Sequence, residues 1–346
     1  MTTRSRGWAW PALIVVAVVS ALVTASIGAV VLPVSDVVHV LTGGHAADPG
    51  HDAILRLVRL PRIATSAIAG AALGVAGLQM QTLFRNALAD PYILGANSGA
   101  SLGVAVVALA GGAGGPAFVG VVAGWGRLGI VLAAAAGAAA VLGIILLMAV
   151  WVRNAVTLLL IGVMLGSVTG ALVAVLIVYA DPTSVQKYMI WGLGTFSSTS
   201  WSDIRLAAPV VAVTILIVFF TVRPLNALLL GEGYARSMGV DLRIARTVTL
   251  LTAALLTGVV TAFCGPVGFL GLVIPHVVRG LLRTSNHRVL IPGCALAGAV
   301  LAVWCGALAD LPGENMSLPL NAVTAIVGAP IVIAVLLRGR NRGGVV

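Results

Sequence analysis

Apolar runs of about 20 residues recur along the whole chain, separated by short groups of proline, glycine and charged residues. A run of that length crosses about 30 Å of hydrocarbon as a helix. The pattern predicts spans near residues 9 to 32, 61 to 83, 92 to 111, 128 to 151 and 155 to 179. Five more are expected near 203 to 222, 247 to 264, 267 to 282, 289 to 309 and 319 to 337. The expected fold class is all-α and polytopic, a single membrane domain over residues 1 to 346 with about ten transmembrane helices. Two joins are open: Asn154 leaves a very short turn, and Gly265-Pro266 is either a kink or a loop. The first run comes after Arg4 and Arg6 but exceeds the roughly 7 to 15 apolar residues of a signal-peptide core, so it reads as a retained span.

Composition sharpens this. Of 346 residues, 60% are hydrophobic and 9% charged, with a mean hydropathy of +1.12. A soluble enzyme is excluded, and the spans leave no room for a large soluble domain. The formal charge of +10 does not point to nucleic acid, because the basic residues sit in small groups between apolar runs. With the N-terminus inside, 14 of the 20 Lys and Arg fall on the inner side and 6 on the outer, which places both termini in the cytoplasm. No acid falls in the middle of a span, which weighs against carriers coupled to protons or sodium. A voltage sensor and a potassium filter lack their arginine-studded span and TVGYG-type loop. Cys264, Cys294 and Cys305 lie in apolar stretches without metal-ligand spacing and read as packing residues.

Lys187 is the only lysine, in SVQKY, so no G-x-x-x-x-G-K-[ST] phosphate loop exists. A transporter with neither a nucleotide site nor an intramembrane carboxylate is either a passive pore or driven by a partner. The longest inner connection, residues 223 to 246, mixes apolar residues with Glu232, Arg236 and Arg243 and breaks at Gly239. Two short helices around that glycine are expected, either flat at the membrane surface or inserted into a partner's groove.

At these residues the chain resembles the FecCD-like permease family of ABC importers for iron siderophores, haem and cobalamin. The resemblance runs from about Leu57 to Leu337 and rests on RLPR from Arg59, QTLFRNALADPYILGANSGASLG from Gln81, GEGYARSMGVDL from Gly231, GPVGFLGLVIPHVVR from Gly265, HRVLIPGCALAG from His287 and VTAIVGAPIVI from Val323. It implies the type II importer architecture: a homodimer of ten-span subunits with a pore between them, two cytoplasmic ATPase subunits carrying ATP and Mg, and an outer solute-binding protein. By similarity, Glu232, Tyr234, Ala235, Met238, Gly239 and Val240 form the ATPase-coupling segment. Arg59 and Arg62 are the candidates for docking the binding protein, with Arg56 weaker. Helix capping or contact with headgroups is the competing reading for these arginines. The stretch ADLPGENMSLPLNAVTA departs from the family pattern, with Ser317 at its acidic position and Asn321 at its glycine.

Gly162, Gly166 and Gly170 recur every four residues, with Ser167 beside them, so they share a helix face. Such a face permits close helix packing or leaves room for a solute. The resemblance sets it at the pore or dimer interface. Gly70 and Gly74 read as buried packing. His39, His45 and His51 read as exposed-loop residues, His276 as packed or helix-terminal, and His287 as a turn residue. The absence of converging acids or histidines within the spans argues against a bare metal ion as cargo and favours a chelate. The chain itself is expected to bind no cofactor and to catalyse no reaction. Two rivals remain: a secondary or passive transporter working alone, and a signalling scaffold.

Overall fold

The structure is a computed structural model and describes residues 9–28, 30–109, 127–152, 155–311 and 318–340. Arg4, Arg6, Arg153, Asn154, Glu314, Ser317 and Arg342 lie outside the described residues. Among those described, the chain forms helices and turns and no strand.

All ten apolar segments are helical, but they are not equally long. Among the described residues, seven helices are long and apolar enough to cross a membrane, and Leu270–Leu282 is a shorter apolar helix. At 13 residues, Leu270–Leu282 rises only about 20 Å. The chain packs as two compact units: residues 1–78, 195–209 and 268–346 in one, and 79–194 and 210–267 in the other.

The first unit begins with α1 (Ala9–Ser26), which stops six residues before the predicted end of its apolar run at 32. Ile27 to Leu32 is apolar enough to continue, but Gly28 and Pro33 end the helix. The segment expected as an exposed outer loop is instead ordered into α2 (Val34–Leu41), α3 (Pro49–Ile54) and a π-turn (Leu55–Arg59) that runs directly into α4 (Leu60–Leu83). Asp48 caps α3, accepting the Gly50 amide at 2.7 Å, and Pro49 suits the first helical turn. Ala25, Leu32, Val37, Val40 and Leu55 bury one another beneath this hairpin. His51 Nδ1 lies 2.8 Å from the buried Asp36 carboxylate, and His45 lies 3.4 Å from Asp52. These two histidines therefore belong to a folded cap.

Numbered in chain order, α13 (Leu270–Leu282), α14 (His287–Ala309) and α15 (Leu320–Arg340) complete the first unit. Backbone meets backbone where α4 crosses α14: a Cβ built on Gly70 would lie 2.0 Å from the Gly298 oxygen, and one on Gly298 would lie 2.2 Å from the Gly70 oxygen. A Cβ on Gly74 would lie 2.7 Å from the Cys294 oxygen. Gly70 and Gly74 are thus packing residues, which lets dispersion replace a hydrophobic force that lipid cannot supply. His287, expected in a turn, is the buried first residue of α14.

The second unit holds α5 (Ala96–Leu109), α6 (Arg127–Trp151), α7 (Ala155–Tyr179), α8 (Pro182–Gly192), α10 (Val222–Leu228), α11 (Glu232–Ser237) and α12 (Leu242–Cys264), while α9 (Trp201–Phe220) passes from one unit to the other. Small residues again set the core, with Ala100, Val104, Ala134, Ala138 and Ala262 packed together. Gln79 donates to Thr252 Oγ1 at 2.7 Å in the interior. Gly265-Pro266 is a loop: Gly265 adopts φ +72° and helix resumes only at Leu270.

Candidate functional site

The connection between α10 and α12 is built by two stop signals and one start signal. After α10, Gly231 at φ +105° turns the chain into α11. At the other end, the Gly239 amide donates to the Arg236 carbonyl at 2.9 Å and the Val240 amide to the Ala235 carbonyl at 3.0 Å. This pair of bonds closes the helix through a left-handed residue, and Gly239 has φ +78°. Asp241 then caps α12, accepting the Arg243 amide at 2.8 Å and the Ile244 amide at 3.1 Å. Gly239 therefore separates one short helix, α11, from the long helix α12, which already contains Arg243 and Arg246. The expected second short helix is the first turns of that long one.

Each candidate coupling residue has a definite place in this wedge. Ala235 is fully buried beneath α11, and Glu232 is ion-paired with Arg246, pinning α11 to α12. Tyr234 and Met238 stand out at 52% and 60% exposure, with Leu230 beside them. Gly239 is exposed with open space where a Cβ would stand, and Val240 is half-buried. The arrangement is an apolar tip on a rigid, doubly capped base.

The three candidate docking arginines divide. Arg59, expected to dock a partner, is 7% exposed and donates to the carbonyls of Ala25 and Val30. It satisfies the end of α1, whose last carbonyls would otherwise be orphaned. A Cβ on Gly28 would approach its Nη2 to 2.8 Å. Arg62 pairs with Asp310 and donates to the Gly306 carbonyl at 2.6 Å, while Ser197 Oγ donates to the same Asp310 carboxylate at 3.2 Å. Arg56 is the most open of the three; it pairs with Asp52 at 3.0 Å, and its own carbonyl accepts from the Trp201 indole at 2.8 Å. Backbone hydrogen bonding from Ala46, with help from Arg56 and His45, holds the Asp52 carboxyl below the usual range. Arg59→Met is expected to lower the stability of the folded chain by about 2–3 kcal/mol, since the buried Ala25 carbonyl and the part-buried Val30 carbonyl lose a charged donor. Thermal unfolding in detergent measures this; an unshifted midpoint with weakened binding-protein affinity would return Arg59 to the docking surface.

On α7 the small-residue face is graded. Gly162 is buried against Gly95, Gly166 has Ser98 Oγ 3.2 Å from where its Cβ would stand, and Ser167 and Gly170 are open. Met164, Val168, Leu172 and Val175 are exposed on the same helix. Asn321, the departure near the last helix, accepts the Gly268 amide at 2.9 Å and so holds the loop before α13. Among the described residues, no group of three or more His, Cys, Asp or Glu side chains could hold a metal ion.

Residues 13–338 match the FecCD transport family. The chain belongs to that family. Among FecCD relatives, it is 36% identical over 292 residues to the vitamin B12 import system permease protein BtuC of Klebsiella pneumoniae subsp. pneumoniae, covering 83% of each chain. It is 38% identical over 287 residues to BtuC of Salmonella typhi, covering 81% of this chain and 82% of that one. A solved inward-facing ABC transporter assigned to the metal-chelate type superposes with a TM-score of 0.82 at 26% identity, over 94% of this chain and 98% of its own. The family membership agrees with the many-span helical architecture described above.

Proposed function

We propose that this chain is the permease subunit of an ATP-driven importer and forms the membrane path for a metal chelate. Cobalamin is the first candidate cargo, ahead of a ferric siderophore or haem, because both BtuC relatives are named for vitamin B12 import. The observation that carries the reading is the capped wedge from Gly231 to Asp241, set in a chain of this family that has no phosphate loop of its own. In this reading the chain pairs with a second copy and lies in the inner membrane with both termini inside. Two cytoplasmic subunits bind ATP and Mg, and an outer binding protein delivers cargo.

The wedge suits that task. Its exposed apolar tip, Leu230, Tyr234 and Met238, fits a groove on the ATPase subunit, while the Glu232–Arg246 pair transmits movement of the tip into α12. Such a unit moves as a rigid body instead of bending. Outside, Arg56 takes the docking role expected of Arg59, while Arg62 is held by Asp310 and the Gly306 carbonyl.

The test is uptake into proteoliposomes of cobalamin, a ferric siderophore and haem, each with its binding protein. ATP-dependent accumulation of one of these, absent without the ATPase subunits, is expected. Uptake by the chain alone would support a stand-alone transporter instead.

A further inference from the structure

Two arginines outside the coupling segment, Arg85 and Arg283, occupy left-handed backbone positions that suit glycine, and Arg85 is the one near the start of α11. After α4 the chain closes as it does at Gly239: the Arg85 amide donates to the Thr82 carbonyl at 3.3 Å and the Asn86 amide to the Gln81 carbonyl at 3.2 Å. The left-handed residue in that closure is Arg85, at φ +46°. A side chain there costs about 1–2 kcal/mol relative to glycine. Local interactions do not offset it, since the Arg85 side chain is exposed and makes no hydrogen bond or ion pair among the described residues. Strain of this kind, held at the surface, points to a use for the side chain.

Its position indicates the use. Arg85 Nη1 would lie 3.8 Å from a Cβ on Gly231, the residue that opens α11. The guanidinium therefore stands at the edge of the wedge, in the same compact unit. The exposed apolar residues in these two segments include Leu88, Leu229, Leu230, Tyr234 and Met238. The exposed charges are Arg85, Arg236 and Arg243, whereas Glu232 is engaged with Arg246 and Asp241 with the start of α12. An apolar centre rimmed by arginines fits a partner whose groove is apolar within and acidic at its lip. A lipid phosphate is the weaker occupant, because a long side chain reaches headgroups from ordinary backbone and needs no left-handed residue.

We propose that Arg85 is a second attachment point for the ATPase subunit, taking a carboxylate on that subunit beside the coupling wedge. This rests on the importer reading above. The experiment titrates the purified cognate ATPase subunit onto the permease in neutral detergent and in vesicles with and without anionic phospholipid. It uses wild type, Arg85→Lys, Arg85→Gly and Arg85→Glu. Arg85→Gly is expected to raise the thermal midpoint of the permease, because strain is removed, yet to weaken ATPase-subunit binding about fivefold. Arg85→Glu is expected to weaken it by about tenfold or more, Arg85→Lys to retain most of it, and added salt to shrink every difference. Equal affinity of wild type and Arg85→Gly at low salt would overturn the proposal and leave the importer reading standing. An effect confined to anionic vesicles would assign Arg85 to lipid and overturn it too. Failure of the wild type to bind the ATPase subunit would overturn both.

Discussion

Gly239→Pro is expected to abolish substrate uptake while the ATPase subunits continue to hydrolyse ATP. Proline fixes φ near −65°, against the +78° found here, and removes the amide that closes α11 onto Arg236. The local cost, about 3 kcal/mol or more, falls on a six-residue helix whose surroundings can relax into solvent. The long helices keep their packing, so the protein still folds. The tip carrying Tyr234 and Met238 loses its fixed orientation relative to α12, and nucleotide-driven movement no longer reaches the spans. A graded series isolates the cause. Gly239→Asn, which tolerates the left-handed region, should remain close to wild type, and Gly239→Ala should fall between, at a cost of about 1–2 kcal/mol. Uptake and ATP turnover measured together in proteoliposomes decide it: unimpaired uptake by the proline variant would remove the wedge from the transport cycle.

The second large effect concerns folding. Gly70→Val is expected to eliminate most of the folded protein from the membrane. The Cβ alone would stand 2.0 Å from the Gly298 carbonyl oxygen and 2.6 Å from the Ala302 Cβ. No rotamer relieves a clash with backbone, so α4 and α14 must separate along their contact. Overpacking by a methylene or two costs about 1–3 kcal/mol in cores that can shift, and helix backbones in contact shift less. Gly298→Val should do the same from the other side, and the double variant should be no better than either single one. Recovery of monodisperse protein by size exclusion measures this. Wild-type yields would mean that the two helices have slack at this crossing.

The helical segments were legible because apolar length is a strong signal, and the family was legible from several long ordered motifs. Their boundaries were less so. Ile27 to Leu32 reads as membrane by hydropathy, yet Gly28, Pro33 and the guanidinium of Arg59 end the helix at Ser26. The α2–α3 hairpin is not readable from apolar length because both helices are short and carry polar residues. The spacing of Val34, Val37 and Val40 and the Asp48-Pro49 start signal were the available clues. The burial of Arg59 was hidden for a different reason. Its partners are carbonyls about 30 residues upstream, which leave no mark in residue identity. At Gly239 the break was readable, but the sequence pattern did not reveal that Asp241 immediately restarts a helix and absorbs Arg243 and Arg246 into it.

The shortness of Leu270–Leu282 carries a consequence for the surrounding bilayer. A rise of about 20 Å falls roughly 10 Å short of the hydrocarbon, so one end of that helix lies at acyl-chain depth. Irregular backbone at such a depth persists only beside protein or water, never against lipid tails. Protein supplies that cover here, since Val267 in the loop before the helix is fully buried and its amide donates to the Tyr92 hydroxyl at 3.1 Å, so the gap is sealed by the chain's own packing instead of by acyl chains.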